Sequence, residues 1–268
     1  MTKRHSLEIG GRMLGVVSTV PRDKVNLGTS FDLLHAVEEE QLVLHYQPII
    51  DLTSEVAIGM EALVRWNHPT LGLTGPEEFL PLAENSWLGG PLTGWVLGRA
   101  VSDCAAWRAA GSPAGVSVNV FPESLTEEWI VGTVAELLEE HRLAPDALTL
   151  ELTEKGWPVD LEVAGTTMAA LAGLGVCISL DDFGTGDSSL SRLQRLHFDE
   201  IKIDRCFVAE AAERLPDREI IRFTAELAHA LGRRAVAEGI ERAEDLDVVR
   251  RMGIDAAQGF LLGRPGPI

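Results

Sequence analysis

Hydrophobic positions fall into two alternating rhythms along the chain. Short runs rich in Val, Ile and Leu recur at residues 42–50, 57–65, 115–120, 147–152, 176–180, 200–203, 234–237 and 256–260. They read as strands, and their nearly continuous apolar character is that of strands covered on both faces. Between most of them lie longer segments with apolar residues at helical spacing, at 92–110, 126–141, 161–173, 218–231 and 244–252. An amphipathic stretch at 31–41 precedes the first strand. Strand–helix alternation over eight strands predicts the α/β class and a TIM-type (β/α)8 barrel, with a doubly wound open sheet as its competitor.

One join breaks the alternation. About six residues, 51–56, separate the first two strands, whereas a parallel crossover needs roughly a dozen. The two strands are therefore expected to form a hairpin, giving a modified barrel with an antiparallel first strand. No internal repeat, low-complexity segment or second domain boundary stands out. Residues 1–28 lack periodicity and are expected to form a flexible N-terminal extension, with one domain over 29–268.

Composition narrows the function. With 46 % hydrophobic and 24 % charged residues in a chain of 268, a wholly disordered or fibrous protein is excluded. The net charge of −18 repels polyphosphates and anionic membranes, so neither a nucleic-acid polymer nor a membrane surface is an expected partner. A small phosphorylated ligand needs local cations, supplied by metal or by well-placed Arg and Lys. Cys104, Cys177 and Cys206 are widely spaced, which argues against a disulfide framework or zinc site and suits a reducing cytoplasm. No apolar run approaches the roughly 18 residues of a membrane span. Glu8 and Arg12 interrupt the N-terminal apolar residues, which read poorly as a signal peptide, and a cytoplasmic location is expected.

Polar residues recur towards the C-terminal ends of the strands. They are Glu61, Asn119, Glu151, Asp181 with Asp182, Lys202 with Asp204, Glu238 and Gln258. In a barrel these ends share one mouth, where such folds carry their active sites. Converging carboxylates raise one another's pKa values, and a multivalent cation relieves the repulsion. All-oxygen donors suit Mg²⁺ or Mn²⁺ better than zinc. The adjacent Asp181 and Asp182 could serve two ions, an arrangement used to hydrolyse phosphodiesters. Lys202 adds a cation that could orient water or stabilise charge. Glu61, Leu63 and Arg65 are spaced by two and share one strand face, where Arg65 could reach a ligand phosphate. Read singly, each has a plainer explanation: a solvated loop acid, turn chemistry at Asp181-Asp182, or helix first-turn acids at Glu154 and Glu241. Their recurrence at seven strand ends is harder to explain that way.

From about residue 31 to 265 the chain resembles the EAL domain family, the bacterial cyclic di-GMP phosphodiesterases. The matching motifs are Tyr46-Gln47-Pro48, Glu61-Ala62-Leu63 with Arg65-Trp66, Ser117-Val118-Asn119 and Glu151-Leu152-Thr153-Glu154. Asp181-Asp182-Phe183-Gly184-Thr185-Gly186, Lys202-Ile203-Asp204, Ala237-Glu238-Gly239-Ile240-Glu241 and Gln258-Gly259-Phe260 complete the set. A lone Glu-Ala-Leu string is weak, but eight motifs in order are highly specific.

The resemblance implies hydrolysis of one phosphodiester bond of cyclic di-GMP to linear pGpG with two Mg²⁺ or Mn²⁺ ions; Ca²⁺, larger and more loosely coordinated than Mg²⁺, is expected to inhibit. Glu61, Asn119, Glu151 and Asp181 would hold one ion, and Asp181, Asp182 and Glu238 would hold or flank the other. Lys202 would contact the attacking water, Glu238 would be the candidate general base, and Gln258 would position water or metal. Gln47, Leu63 and Arg65 would contact the dinucleotide, with Asp204 and Glu241 at its guanine end. Glu154 resembles the residue that shapes the 181–186 loop. Family members often dimerise, so a homodimer is open. Asp187 and Trp87 depart from the family pattern, and no companion cyclase motif is present. The alternatives are a catalytically weak cyclic di-GMP receptor or partner-binding domain, and a two-carboxylate glycosidase, which has no use for Asn119, Lys202 and the Asp pair together.

Overall fold

The structure is a computed structural model that describes residues 29–84, 86–153, 160–185, 193 and 195–268. The extension expected at 1–28 lies outside these residues, as do Glu154 and Asp187. Nine strands follow in chain order: β1 Leu42–Asp51, β2 Ala57–His68, β3 Gly72–Thr74, β4 Gly115–Asn119, β5 Leu148–Thr153, β6 Cys177–Phe183, β7 Glu200–Ile203, β8 Arg234–Ala237 and β9 Ala256–Ala257. Helices are α1 Ser30–Glu38, α2 Pro76–Phe79, α3 Gly89–Ala109, α4 Trp129–His141, α5 Leu161–Leu174, α6 Arg205–Val208, α7 Leu215–Ala230 and α8 Ala243–Arg251.

The sheet closes on itself. Its order is β1-β9-β8-β7-β6-β5-β4-β2-β3, and β1 also pairs with β2. Removing the short β3, which pairs only with the far end of β2, leaves an eight-stranded barrel. β1 runs antiparallel to both neighbours, β2 and β9, while the pairs from β2 and β4 round to β8 and β9 are parallel. The expected hairpin is therefore present, and its turn has a local cause. Asp51 Oδ1 accepts from the Ser54 amide at 2.6 Å and the Thr53 amide at 3.1 Å, and Glu55 takes a left-handed φ of 58°.

Alternation sorts the strand residues. Outward positions such as Val116, Val118, Leu150 and Ile178 join the main core between barrel and helices. Ile49, Val236 and Ala256 form a separate small apolar cluster. The intervening inward positions are largely polar. Ser117, Ser179 and Glu200 are buried one step below Asn119, Asp181 and Lys202, and Ser179 donates to Glu200 at 2.9 Å. The last strand is shorter than its apolar run suggests. After Ala257 the chain leaves strand geometry: the Gln258 amide still donates to the Ala237 carbonyl, but the Gln258 carbonyl accepts from Ile240 and the Gly259 carbonyl from Leu262 and Gly263. The 3-residue β3 and 4-residue α6 are too short to give a periodic signal.

Candidate active site

Register and curvature bring the strand-end residues together. Antiparallel pairing sets Gln47 opposite Glu61, while parallel pairing sets Asn119 beside Glu151 and Thr153 beside Asp181. Neighbouring strand residues normally face opposite ways. Asp182 escapes that rule because its φ of 56° turns the chain straight after Asp181. One carboxylate oxygen from each of Asp181, Asp182 and Glu238 consequently lies within 4.8 Å of the others.

Lys202 is the floor of the site, with no exposed surface. Its Nζ lies 2.5 Å from Glu238 Oε1, 2.9 Å from Glu151 Oε2, 3.6 Å from Asp181 Oδ1 and 3.9 Å from Glu61 Oε2. Glu61 is further held by donors: Asn119 Nδ2 at 2.8 Å on Oε1 and Gln258 Nε2 at 2.5 Å on Oε2. Gln258 Nε2 also donates to Gln47 Oε1 at 2.9 Å, and Gln47 donates to the Gly263 carbonyl at 2.9 Å.

One ammonium faces four carboxylates, and burial decides which of them stay charged. Burial pushes Glu238 up to about 8 against the pull of Lys202. Burial also drives Glu151 well above the usual carboxylate range and raises Asp181. Glu61 is the exception: burial opposes its charge, but Lys202 and the Gln258 and Asn119 donors outweigh it and hold it low. Burial acts against the Lys202 charge too, and the surrounding carboxylates, Asp181 and Glu151 foremost, override it and raise its pKa.

A cavity of about 240 Å³ opens above this floor. Gln47, Glu61, Leu63, Asp181, Asp182, Asp204, Glu238, Glu241 and Gln258 all line it. Asp204 also caps α6 by accepting from the Cys206 amide at 2.8 Å, and its carboxyl is held low because hydrogen bonds from Cys206 and Asp182 outweigh burial. Asn119 is exposed and lines an adjoining, mostly apolar cavity of about 250 Å³ that shares Leu63 and includes Phe121 and Thr93. Arg65 lines neither cavity; its Nη1 donates to the Val64 carbonyl at 2.9 Å. Arg205 and Phe260 line the first cavity and do not emerge from strand-end reasoning. The signal was nonetheless at hand, since Arg205 follows Lys202-Ile203-Asp204 and Phe260 ends Gln258-Gly259-Phe260.

The donor set fits a hard cation. Every candidate ligand atom is oxygen, and the cluster is more negative than Lys202 can balance. Two buried acceptors in it, Glu151 Oε1 and Gln258 Oε1, have no hydrogen-bond donor among the described residues. Such bare oxygens carry a large desolvation penalty that a bound cation would relieve. No helix among the described residues is long and apolar enough to cross a membrane.

The sequence matches the family model described as the EAL domain over residues 31–265. The bifunctional diguanylate cyclase/cyclic di-GMP phosphodiesterase MucR of Pseudomonas aeruginosa is 40% identical over 237 residues, 88% of this chain and 35% of that protein. The cyclic di-GMP phosphodiesterase NbdA of the same organism is 39% identical over 238 residues, 88% of this chain and 30% of that protein. Among solved structures, the PaMucR phosphodiesterase in complex with c-di-GMP is similar with a TM-score of 0.84 at 40% identity, covering 91% of this chain and 98% of that one. The chain spans about a third of the length of the curated relatives it matches.

Proposed function

The chain belongs to the EAL domain family, and on that premise we propose that it is a phosphodiesterase converting cyclic di-GMP to linear pGpG with divalent cations. The observation that carries the reading is the fully buried Lys202 ringed by Glu61, Glu151, Asp181 and Glu238 at one mouth of the barrel. It agrees with the activity for which MucR and NbdA are named.

Glu61, Asn119, Glu151 and Asp181 would hold one cation, and Asp181, Asp182 and Glu238 would hold or flank a second. Mg²⁺ or Mn²⁺ held there would lower the pKa of water and offset negative charge on the reacting phosphate. The remaining work belongs to the side chains. Glu238, beside Lys202 and the Asp181–Asp182 pair, is the candidate general base for the attacking water, since a cation held there would keep its carboxylate ionised. Lys202, 2.5 Å away, orients that carboxylate and holds positive charge beside it. Water adds to one phosphodiester phosphorus as the opposite P–O bond breaks, and the released sugar oxygen takes up a proton from solvent, which opens the ring to pGpG. Gln258 fixes Glu61 and helps to position water.

Of the expected substrate contacts, Gln47, Leu63, Asp204 and Glu241 line the cavity, whereas Arg65 would have to swing away from the Val64 carbonyl to reach a phosphate. Arg205 at the cavity wall supplies a local cation that a chain of net charge −18 needs for a phosphate ligand. The adjoining apolar cavity, with a buried Thr93 hydroxyl that has no hydrogen-bond partner among the described residues, suits a flat base.

The reading is tested by incubating the protein with cyclic di-GMP and Mg²⁺ or Mn²⁺, with a chelator control, and resolving the nucleotides by chromatography. Metal-dependent appearance of pGpG supports it. Intact cyclic di-GMP at high enzyme concentration contradicts it.

A further inference from the structure

Arg242 is an unexpected residue for its place in the fold. It is the N-cap of α8 and forms no side-chain cap, although that position favours Ser, Thr, Asp or Asn, whose oxygens accept from first-turn amides. Its guanidinium instead forks across two carboxylates. Nε and Nη2 donate to Asp245 Oδ2 and Oδ1 at 2.7 and 2.8 Å. Nη1 and Nη2 donate to Glu213 Oε1 and Oε2 at 2.9 and 2.8 Å. Asp245, 2 % exposed in the first turn of α8, also accepts from the Ala212 amide at 3.2 Å. Glu213 belongs to the connection between α6 and α7. The start of α8 is thereby tied to the connection that follows β7.

Between β8 and this clamp lie only residues 238–241. Glu238 is fixed from the barrel side by Lys202 and by its amide bond to the Ile203 carbonyl at 3.1 Å. Gly239 has a φ of 70°, and a Cβ there would lie 2.3 Å from Arg205 Cβ, so the two loops pack backbone against side chain. Ile240 donates to the Gln258 carbonyl at 3.0 Å and accepts from Leu261 at 3.0 Å. Glu241 is different. It lines the substrate cavity, yet its carboxylate has no hydrogen bond among the described residues. The next residue along the chain is Arg242.

We propose that Arg242 is a positioning residue: its paired forks to Glu213 and Asp245 fix the Glu241 backbone and set how that carboxylate reaches into the substrate cavity. The inference rests on the phosphodiesterase reading for the identity of the substrate. Because Glu238 is anchored independently, loss of the clamp acts on substrate affinity and spares the chemical step. A planar fork is required, so lysine does not substitute for arginine.

The test compares wild type with R242T, E213A, R242K and the R242T/E213A pair. R242T supplies a conventional helix cap while removing the clamp, and E213A removes one arm without touching α8. R242T and E213A should each raise KM for cyclic di-GMP about three- to fivefold, the scale of partly exposed ion pairs, with kcat within about twofold. The double variant should be no worse than R242T, because both changes break one unit. R242K should not restore KM. Amide exchange of residues 239–242 should quicken in R242T and E213A alike. Unchanged KM and unchanged exchange in R242T overturn the proposal, as does a fall in kcat with KM preserved. The exchange comparison needs no substrate: a wild type that leaves cyclic di-GMP intact counts against the phosphodiesterase reading alone, while exchange still decides the clamp.

Discussion

Lys202 Nζ lies 2.5 Å from Glu238 Oε1, and the ammonium has no exposed surface. Its charge is tolerated there only because Glu238, Glu151, Asp181 and Glu61 surround it. Removing one partner of a buried ion pair strands the other, at about 3–5 kcal/mol. Lys202→Met keeps the side-chain volume and removes the charge. It should lower unfolding free energy by about that amount in denaturant titration, and cut turnover roughly 10²–10⁴-fold by disturbing the base. Turnover within a few-fold of wild type would remove Lys202 from the mechanism.

A pH signature follows from Glu238. Burial lifts its carboxyl from 4.5 to about 8. The folded chain then holds a proton that the unfolded chain has already released. That contribution to stability is fully present below about 4.5 and is lost as the pH rises through about 8. In chelator, thermal melts should therefore show falling stability across this window, and Glu238→Gln should flatten the slope. A slope unchanged by Glu238→Gln would contradict the assignment.

Much of this was legible in the sequence, and the physical reasons differ by residue. The hairpin was readable because 51–56 is too short for a crossover, and the structure pairs Gln47 with Glu61 across it. The convergence of Glu61, Glu151, Asp181 and Lys202 follows from strand period and barrel closure, both visible as patterns, whereas Gln258 sits just past the end of β9. What period 2 does not reveal is a local break in it. The left-handed Asp182 turns two adjacent carboxylates to one side, and no strand rule gives that. Arg65 shares a face with Glu61 by spacing, yet its guanidinium bonds the Val64 carbonyl, because a long side chain is not fixed by its Cβ direction. The clamp at Arg242 was hidden because Glu213 lies 29 residues away in sequence.

Metal identity can be read without substrate. Ca²⁺ takes six to eight oxygens at about 2.3–2.6 Å, whereas Mg²⁺ demands near-octahedral geometry at about 2.0–2.1 Å. Both ions should raise the melting temperature by neutralising the cluster around Asp181, Asp182 and Glu238. Ca²⁺ should support little turnover and should inhibit the Mg²⁺-loaded protein. Full turnover in Ca²⁺, or no thermal shift with either ion, would contradict the proposed sites.

The most direct test sets wild type beside Glu61→Gln and Asp181→Asn in Mn²⁺, with circular dichroism to match the folds and chromatography to follow cyclic di-GMP. Glu61 and Asp181 both lie within 4 Å of Lys202 Nζ and belong to the donor set proposed for the first cation. The account predicts that wild type yields pGpG while both variants remain folded and lose turnover by about 10²-fold or more. Near-wild-type turnover in either folded variant would contradict it.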